Sequence, residues 1–354
     1  MKNITKLISI ILLGGGLVST LAACGSSAAS KNDGVKTKSS ENPKVVTIGY
    51  QPCVDDLMLL KAKGWFTQDL AKQGITLKYV SFDAGRDINN AMVSKSIDIS
   101  DLGDPPTAIG VSNDIPYEAF WIDDIIGESE ALVVKNKANI TSIKGLKGKK
   151  IGTTVSSTSH YSLLSALKSQ GLSEKDVQIV DLKAADILAA WKRGDIDAAY
   201  TWQPGLTTLS KDGKILITSK ELASKGAPTS EMSLVRTEFG EKYPQIVSLY
   251  VKELIRAQNE YKTNPDAAGE KLAKALQIDK ADAIKQAGEI DWITPKEQLS
   301  SKYLGTSSKK GDTAKSLKLV GDFLVDQKAL TSKVDVSQYE KIINPKYLED
   351  ALKK

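Results

Sequence analysis

Ser94–Pro106 (SKSIDISDLGDPP) and Lys192–Pro204 (KRGDIDAAYTWQP) repeat one design: a charged helix end, an alternating strand and a proline-bearing break. Each closes a similar alternation of apolar periods. The first predicts a strand over 45–50, a helix over 55–66, a strand over 75–80, a helix over 86–95 and a strand over 97–100. The second predicts a strand over 150–155, a helix over 157–170 stopped at Gly171, a strand over 177–182, a helix over 184–193 and a strand over 196–201. Two βαβαβ units in one chain constrain the fold strongly. Strand–helix alternation builds parallel sheets with helices on both faces, and two such units make two lobes. The expected class is α/β, with mostly parallel sheets in two lobes joined by a hinge. Residues 45–134 are expected in lobe one, 135–225 in lobe two, and 226–354 as a return strand with C-terminal helices on lobe one. The crossings are placed at Lys135-Asn136 and at Lys225 to Ala227.

Before these units the chain reads as an address. Lys2 and Lys6 precede an apolar stretch from Leu7 to Val18, too short to span a bilayer and suited to a secretory leader. It ends in Leu21-Ala22-Ala23-Cys24, which resembles the lipobox of bacterial lipoproteins. That resemblance implies cleavage after residue 23, a diacylglycerol on Cys24, and a cell-membrane location on the extracytoplasmic face, of Gram-positive type. Residues 24–43 hold almost no large apolar side chain and read as a flexible tether. Cys53 then has no partner for a disulfide and reads as a small buried hydrophobe.

Composition narrows the chemistry. Lys and Arg number 48 against 43 Asp and Glu, a net charge of +5 that is too small and too evenly spread for a nucleic-acid footprint. One histidine and two cysteines exclude most zinc sites and any disulfide framework. No phosphate-cradling glycine motif is present. No metal or cofactor is expected, and an enzyme would have to centre on His160.

In parallel sheets ligands bind beyond the carboxyl ends of the strands. One such end carries Ser157, Thr158, Ser159 and His160 at a helix start, where hydroxyls and open N–H groups suit an anion. Simple N-capping explains the same residues equally well. Trp202 ends another strand and suits either a cleft wall or a core ring. Asp101, Asp104, Asp123, Asp124, Glu130 and Glu231 cluster near strand ends and favour a cationic group, one or two of them touching it. Together these predict a pocket for a small zwitterion.

The run Ser157 to Lys168 closely resembles the corresponding helix of taurine-binding proteins, the solute receptors of ABC importers in the aliphatic-sulfonate and nitrate group. Ala189 to Pro204, Ser129 to Lys135 and Gly226 to Thr229 continue the similarity, which is weakest after about Lys262. It implies a type II periplasmic-binding-protein fold that closes on its ligand and docks on a permease with its ATPase, as a monomer. It implies that Gln51, His160, Trp202 and Glu231 surround the ligand. The family has Gly-Ser-Ser-Pro where this chain has Gly103-Asp104-Pro105-Pro106, and an aspartate in place of Glu231. Asp104 thus adds an acid where a sulfonate would dock. The alternatives are a receptor for another small amine or for a thiamine-precursor pyrimidine, or an enzyme on this fold using His160.

Overall fold

The computed structural model describes residues 42–353. The leader, Cys24 and the tether through residue 41 lie outside the described residues. Ten strands form two five-stranded sheets. The first contains β1 (Val45–Tyr50), β2 (Thr76–Ser81), β3 (Ile99–Gly103), β4 (Tyr117–Ile125) and β10 (Ser230–Arg236), in the order β2-β1-β3-β10-β4. The second contains β5 (Glu130–Lys135), β6 (Lys150–Thr153), β7 (Gln178–Asp181), β8 (Ala198–Trp202) and β9 (Gly213–Thr218), in the order β7-β6-β8-β5-β9. In each sheet one strand, β10 or β5, runs against the other four. The two sheets therefore share one topology, as the duplicated sequence pattern requires.

Connecting helices follow local rules. After β1, Asp55 caps α1 (Asp56–Lys63) by accepting the Met58 N–H at 2.5 Å. Gly64, at φ +69°, ends α1 and starts α2 (Trp65–Ala71), breaking what the sequence read as one helix. Between β2 and β3 lies α3 (Gly85–Val93), and β3 feeds α4 (Asp104–Ser112). Pro105-Pro106, read as a chain break, opens α4, where a missing N–H costs nothing. In the second lobe, α5 (Thr158–Ser169) follows β6 and α6 (Ala184–Arg193) follows β7.

The first crossing lies one strand earlier than the sequence reading placed it. Residues 130–134, assigned there to lobe one, belong to β5, paired with β8 and β9 in the second sheet. The chain therefore crosses at 126–129. It returns between the helix Ser219–Ala223 and β10.

The tail packs chiefly on lobe one, where Ile246, Val247 and Leu254 share a core with β1 and α1. It also reaches lobe two. Phe323 meets Tyr161 of α5 edge-on at 4.8 Å between centroids. Gln203 Nε2 donates to Glu289 at 2.7 Å.

Candidate functional site

The carboxyl ends of the parallel strands converge on a cleft of about 700 Å3, mouth included, between the lobes. The loop after β1 contributes Gln51, Cys53 and Asp55, and β3 contributes Asp101 and Gly103. Asp124 on β4 and Glu231 on β10 complete the first-lobe wall. The facing wall is Glu130, at the start of β5, with Ser157, Thr158, Trp202 and Gln203. The lobes are in contact: a Cβ on Gly103 would lie 2.7 Å from Thr158 Cγ2 and 3.1 Å from Glu231 Oε1. Outside the cavity, Arg86 on α3 holds Asp181 at 2.9 Å and Lys183 holds Asp87 at 2.9 Å, so two ion pairs bridge the lobes.

The electrostatics are one-sided. Five carboxyls line the cavity and none of its lining residues is Lys, Arg or His. Burial is the main cause of their raised values. It takes Asp101 to about 7, with Asp56 adding to the rise. Glu130 also reaches about 7, although hydroxyl donors pull it back. Asp55, Asp124 and Glu231 stand well above the ordinary range, through burial first and neighbouring carboxylates second. Glu130 accepts from the Thr158 hydroxyl and, at 3.3 Å, from Ser219. Asp101 Oδ1 and Asp124 Oδ1 are buried and have no hydrogen-bond partner. Beneath this floor Asp56 accepts from Trp121 Nε1 and Gln258 Nε2, both at 3.0 Å.

Of the residues singled out in the sequence, Gln51, Asp101, Asp124, Glu130, Ser157, Thr158, Trp202 and Glu231 meet at this cavity. Asp104, Asp123, Ser159 and His160 are buried but do not line it. Asp104 has both oxygens engaged, accepting from the N–H and the hydroxyl of Ser230 at 2.7 Å each. His160 lies two residues beyond Thr158 on α5, about 200° around the helix, and its Nε2 is buried without a hydrogen-bond partner. Its Nδ1 accepts the Ser156 N–H at 3.3 Å, and burial lowers its pKa to about 4. The imidazole is therefore neutral at pH 7 and brings no positive charge to an anion. Ser157 does cap α5, accepting the His160 N–H at 3.2 Å. The N–H groups of Thr158 and Ser159, in the first turn, have no acceptor within the helix.

Gln286 and Ile290 also line the cavity and carried no signal in the sequence. They arrive from the tail because Asp291 pairs with Ile125 beside the first crossing. Behind Gln51, Trp202 and Gln203 lies a second, more apolar chamber of about 580 Å3, walled by Phe82, Ala184, Ala185 and Leu188.

A family model described as NMT1/THI5 like matches residues 56–268. The chain belongs to this family. It is 36% identical over 282 residues to the taurine-binding periplasmic protein of Escherichia coli K12, covering 78% of this chain and 87% of that protein. It is 27% identical to a putative aliphatic sulfonates-binding protein of Bacillus subtilis 168, covering 99% and 97%. Among solved structures, the alkanesulfonate-binding protein SsuA of Xanthomonas axonopodis pv. citri, bound to MOPS, superposes with a TM-score of 0.71 at 21% identity, over 84% of this chain and 98% of that one. The fold is that of the periplasmic binding proteins, and among the described residues no helix is long and apolar enough to cross a membrane.

Proposed function

We propose that this protein is the extracytoplasmic receptor of an ABC importer, taking up taurine or a similar small aminosulfonate. The observation that carries the reading is the polarity of the cleft. Four carboxyls crowd the first-lobe wall, and the second wall combines one carboxyl, Glu130, with the open N–H groups of α5. An ammonium suits the first wall, near Glu231, and a sulfonate suits the helix start. The relatives named for taurine and aliphatic sulfonates support the same assignment. Binding, lobe closure and delivery to a permease and its ATPase form the cycle, with no bond broken. The side chains support a site without chemistry: the Cys53 thiol is pushed well above its ordinary value by burial and by Asp55, and His160 is neutral and outside the cleft. A lipid on Cys24 would hold the receptor at the membrane face.

Calorimetry with taurine, ethanesulfonate and ethylamine tests this. Three or four charge-assisted bonds of about 1.5–3 kcal/mol, offset by desolvation and closure, give an affinity near micromolar, about −8 kcal/mol. Taurine should bind about tenfold or more tightly than either half-ligand. Absence of binding by taurine and by every short aminosulfonate removes the reading. A second reading is favoured by one observation, the lack of any cationic side chain in the lining. It makes the solute a small amine with no acidic group. Ethylamine binding as tightly as taurine selects it.

A further inference from the structure

We propose that Cys53, Asp55 and Asp101 form a binding site for a thiophilic divalent cation, zinc or cadmium, in the floor of the cleft. Their donor atoms, one thiol sulfur and two carboxylate oxygens, lie within 4.8 Å of one another. Zinc holds sulfur at about 2.3 Å and carboxylate oxygen at about 2.0–2.2 Å in a tetrahedron, so donors sharing one ion stand about 3.5 Å apart. Rotation of the side chains by about 1 Å gathers them.

Each donor is oriented by its local structure. Asp55 Oδ1 is fixed by the Met58 N–H at the start of α1, which leaves Oδ2 turned toward Cys53 at 2.8 Å. Cys53 is held on the loop after β1 by a turn in which its N–H donates to the Gln51 carbonyl at 2.9 Å. Asp101 comes from β3, a neighbour of β1 in the sheet. Asp101 carries the independent sign of a ligand: the residue lines the cleft, is only 4% exposed, and its buried Oδ1 has no protein group paired with it. A buried carboxylate oxygen without a partner is costly, and a cation is the group that offsets it.

Sulfur with two oxygens is a donor set for zinc or cadmium rather than for magnesium or calcium, which take oxygen alone. With three protein donors, a fourth position remains toward the cavity, open to water or to part of a solute. The ion also brings positive charge to a cavity whose lining has no basic side chain. The site does not depend on which solute is carried.

The test uses the full chain washed with chelator. Zinc titration by calorimetry should show one saturable equivalent. Cadmium should raise an ultraviolet thiolate charge-transfer band that saturates at one equivalent. Cys53→Ser should abolish the band, and Cys53→Ser and Asp101→Asn should each weaken zinc binding about tenfold or more. Circular dichroism checks that both variants fold, and the band reads Cys53 directly in the unaltered chain if they do not. No band, or zinc affinity unchanged in two folded variants, overturns the site. Taurine titrated into the chelator-washed protein separates the two readings. Taurine binding without zinc binding removes the metal site alone, and zinc binding with no binding of taurine or any short aminosulfonate upholds it while removing the aminosulfonate reading.

Discussion

At Gly103 the two lobes stand within a methyl group of each other. Its φ of −67° is open to any residue, so an added side chain strains nothing in the backbone. The added carbon would instead press on Thr158 Cγ2 at 2.7 Å, in the opposite lobe. The least costly relief is a slight opening of the cleft. Gly103→Ala is therefore expected to lower taurine affinity about tenfold or more, while the melting temperature without solute changes little. Small-angle scattering should show the opening. A large fall in melting temperature with affinity retained would mean that the lobe absorbs the strain internally. Glu231 gives the complementary case. Its carboxylate would contribute a charge-assisted bond of about 1.5–3 kcal/mol to an ammonium. Glu231→Gln should weaken taurine about ten- to a hundredfold by calorimetry and leave ethanesulfonate unaffected. Equal losses for both would show that Glu231 supports the cleft without meeting the amine.

Among the elements, the join between α4 and β10 carries the return of the chain to lobe one. Asp104 opens α4 and takes both the N–H and the hydroxyl of Ser230, the first residue of β10. Ser230→Ala removes one bond and leaves the other, and should cost about 1 kcal/mol in urea unfolding. Asp104→Ala strands the Ser230 N–H as well, and should cost more, about 1–3 kcal/mol. This join also shows what the sequence could tell. Strand and helix periods are local, so the duplicated units and the helical character of the C-terminal part were legible. So was the rule that strand ends build the cleft, which brought out Thr158 and Trp202, while Gln51 came from the family resemblance and Glu231 from the acid cluster and that resemblance together. Sheet membership is not local. β5 holds an apolar run from Ala131 to Val134 whose partners, β8 and β9, come much later in the chain, and nothing within the run names its lobe. The same distance hid Gln286 and Ile290. His160 shares a helix start with Thr158 but does not line the cavity.

For the molecule as a whole, closure brings charge together in two places with opposite consequences. At the rim, Arg86–Asp181 and Lys183–Asp87 reach across the cleft and remain in contact with solvent. Salt screens such pairs, so taurine should leave several-fold faster at high than at low ionic strength, and Arg86→Ala with Lys183→Ala should remove most of that dependence in stopped-flow measurements. In the interior lie buried carboxyls, some at the cleft and some beneath it, that stabilise the fold only while protonated. Asp56, Asp101, Asp104 and Glu130 each reach about 7 in the folded chain, above their ordinary values near 4. The folded state then holds more protons than the unfolded state between about pH 4 and 7, so stability falls as pH rises through that window and the loss is complete above it. His160 acts in the opposite direction. Its value is lowered to about 4, so its contribution is present above about 6.5 and lost as pH falls toward 4. Four acids outweigh one imidazole below 6.5, and above it the acids act alone. The melting temperature without solute should therefore drop from pH 6 to pH 8 in scanning calorimetry. Taurine at a hundred times its dissociation constant adds about 2.7 kcal/mol, and should restore part of the loss at pH 8 by placing an ammonium among ionised carboxylates. A melting temperature that stays level or rises over that range would mean the carboxyls are hydrated in solution, which requires the two lobes to stand apart when no solute holds them.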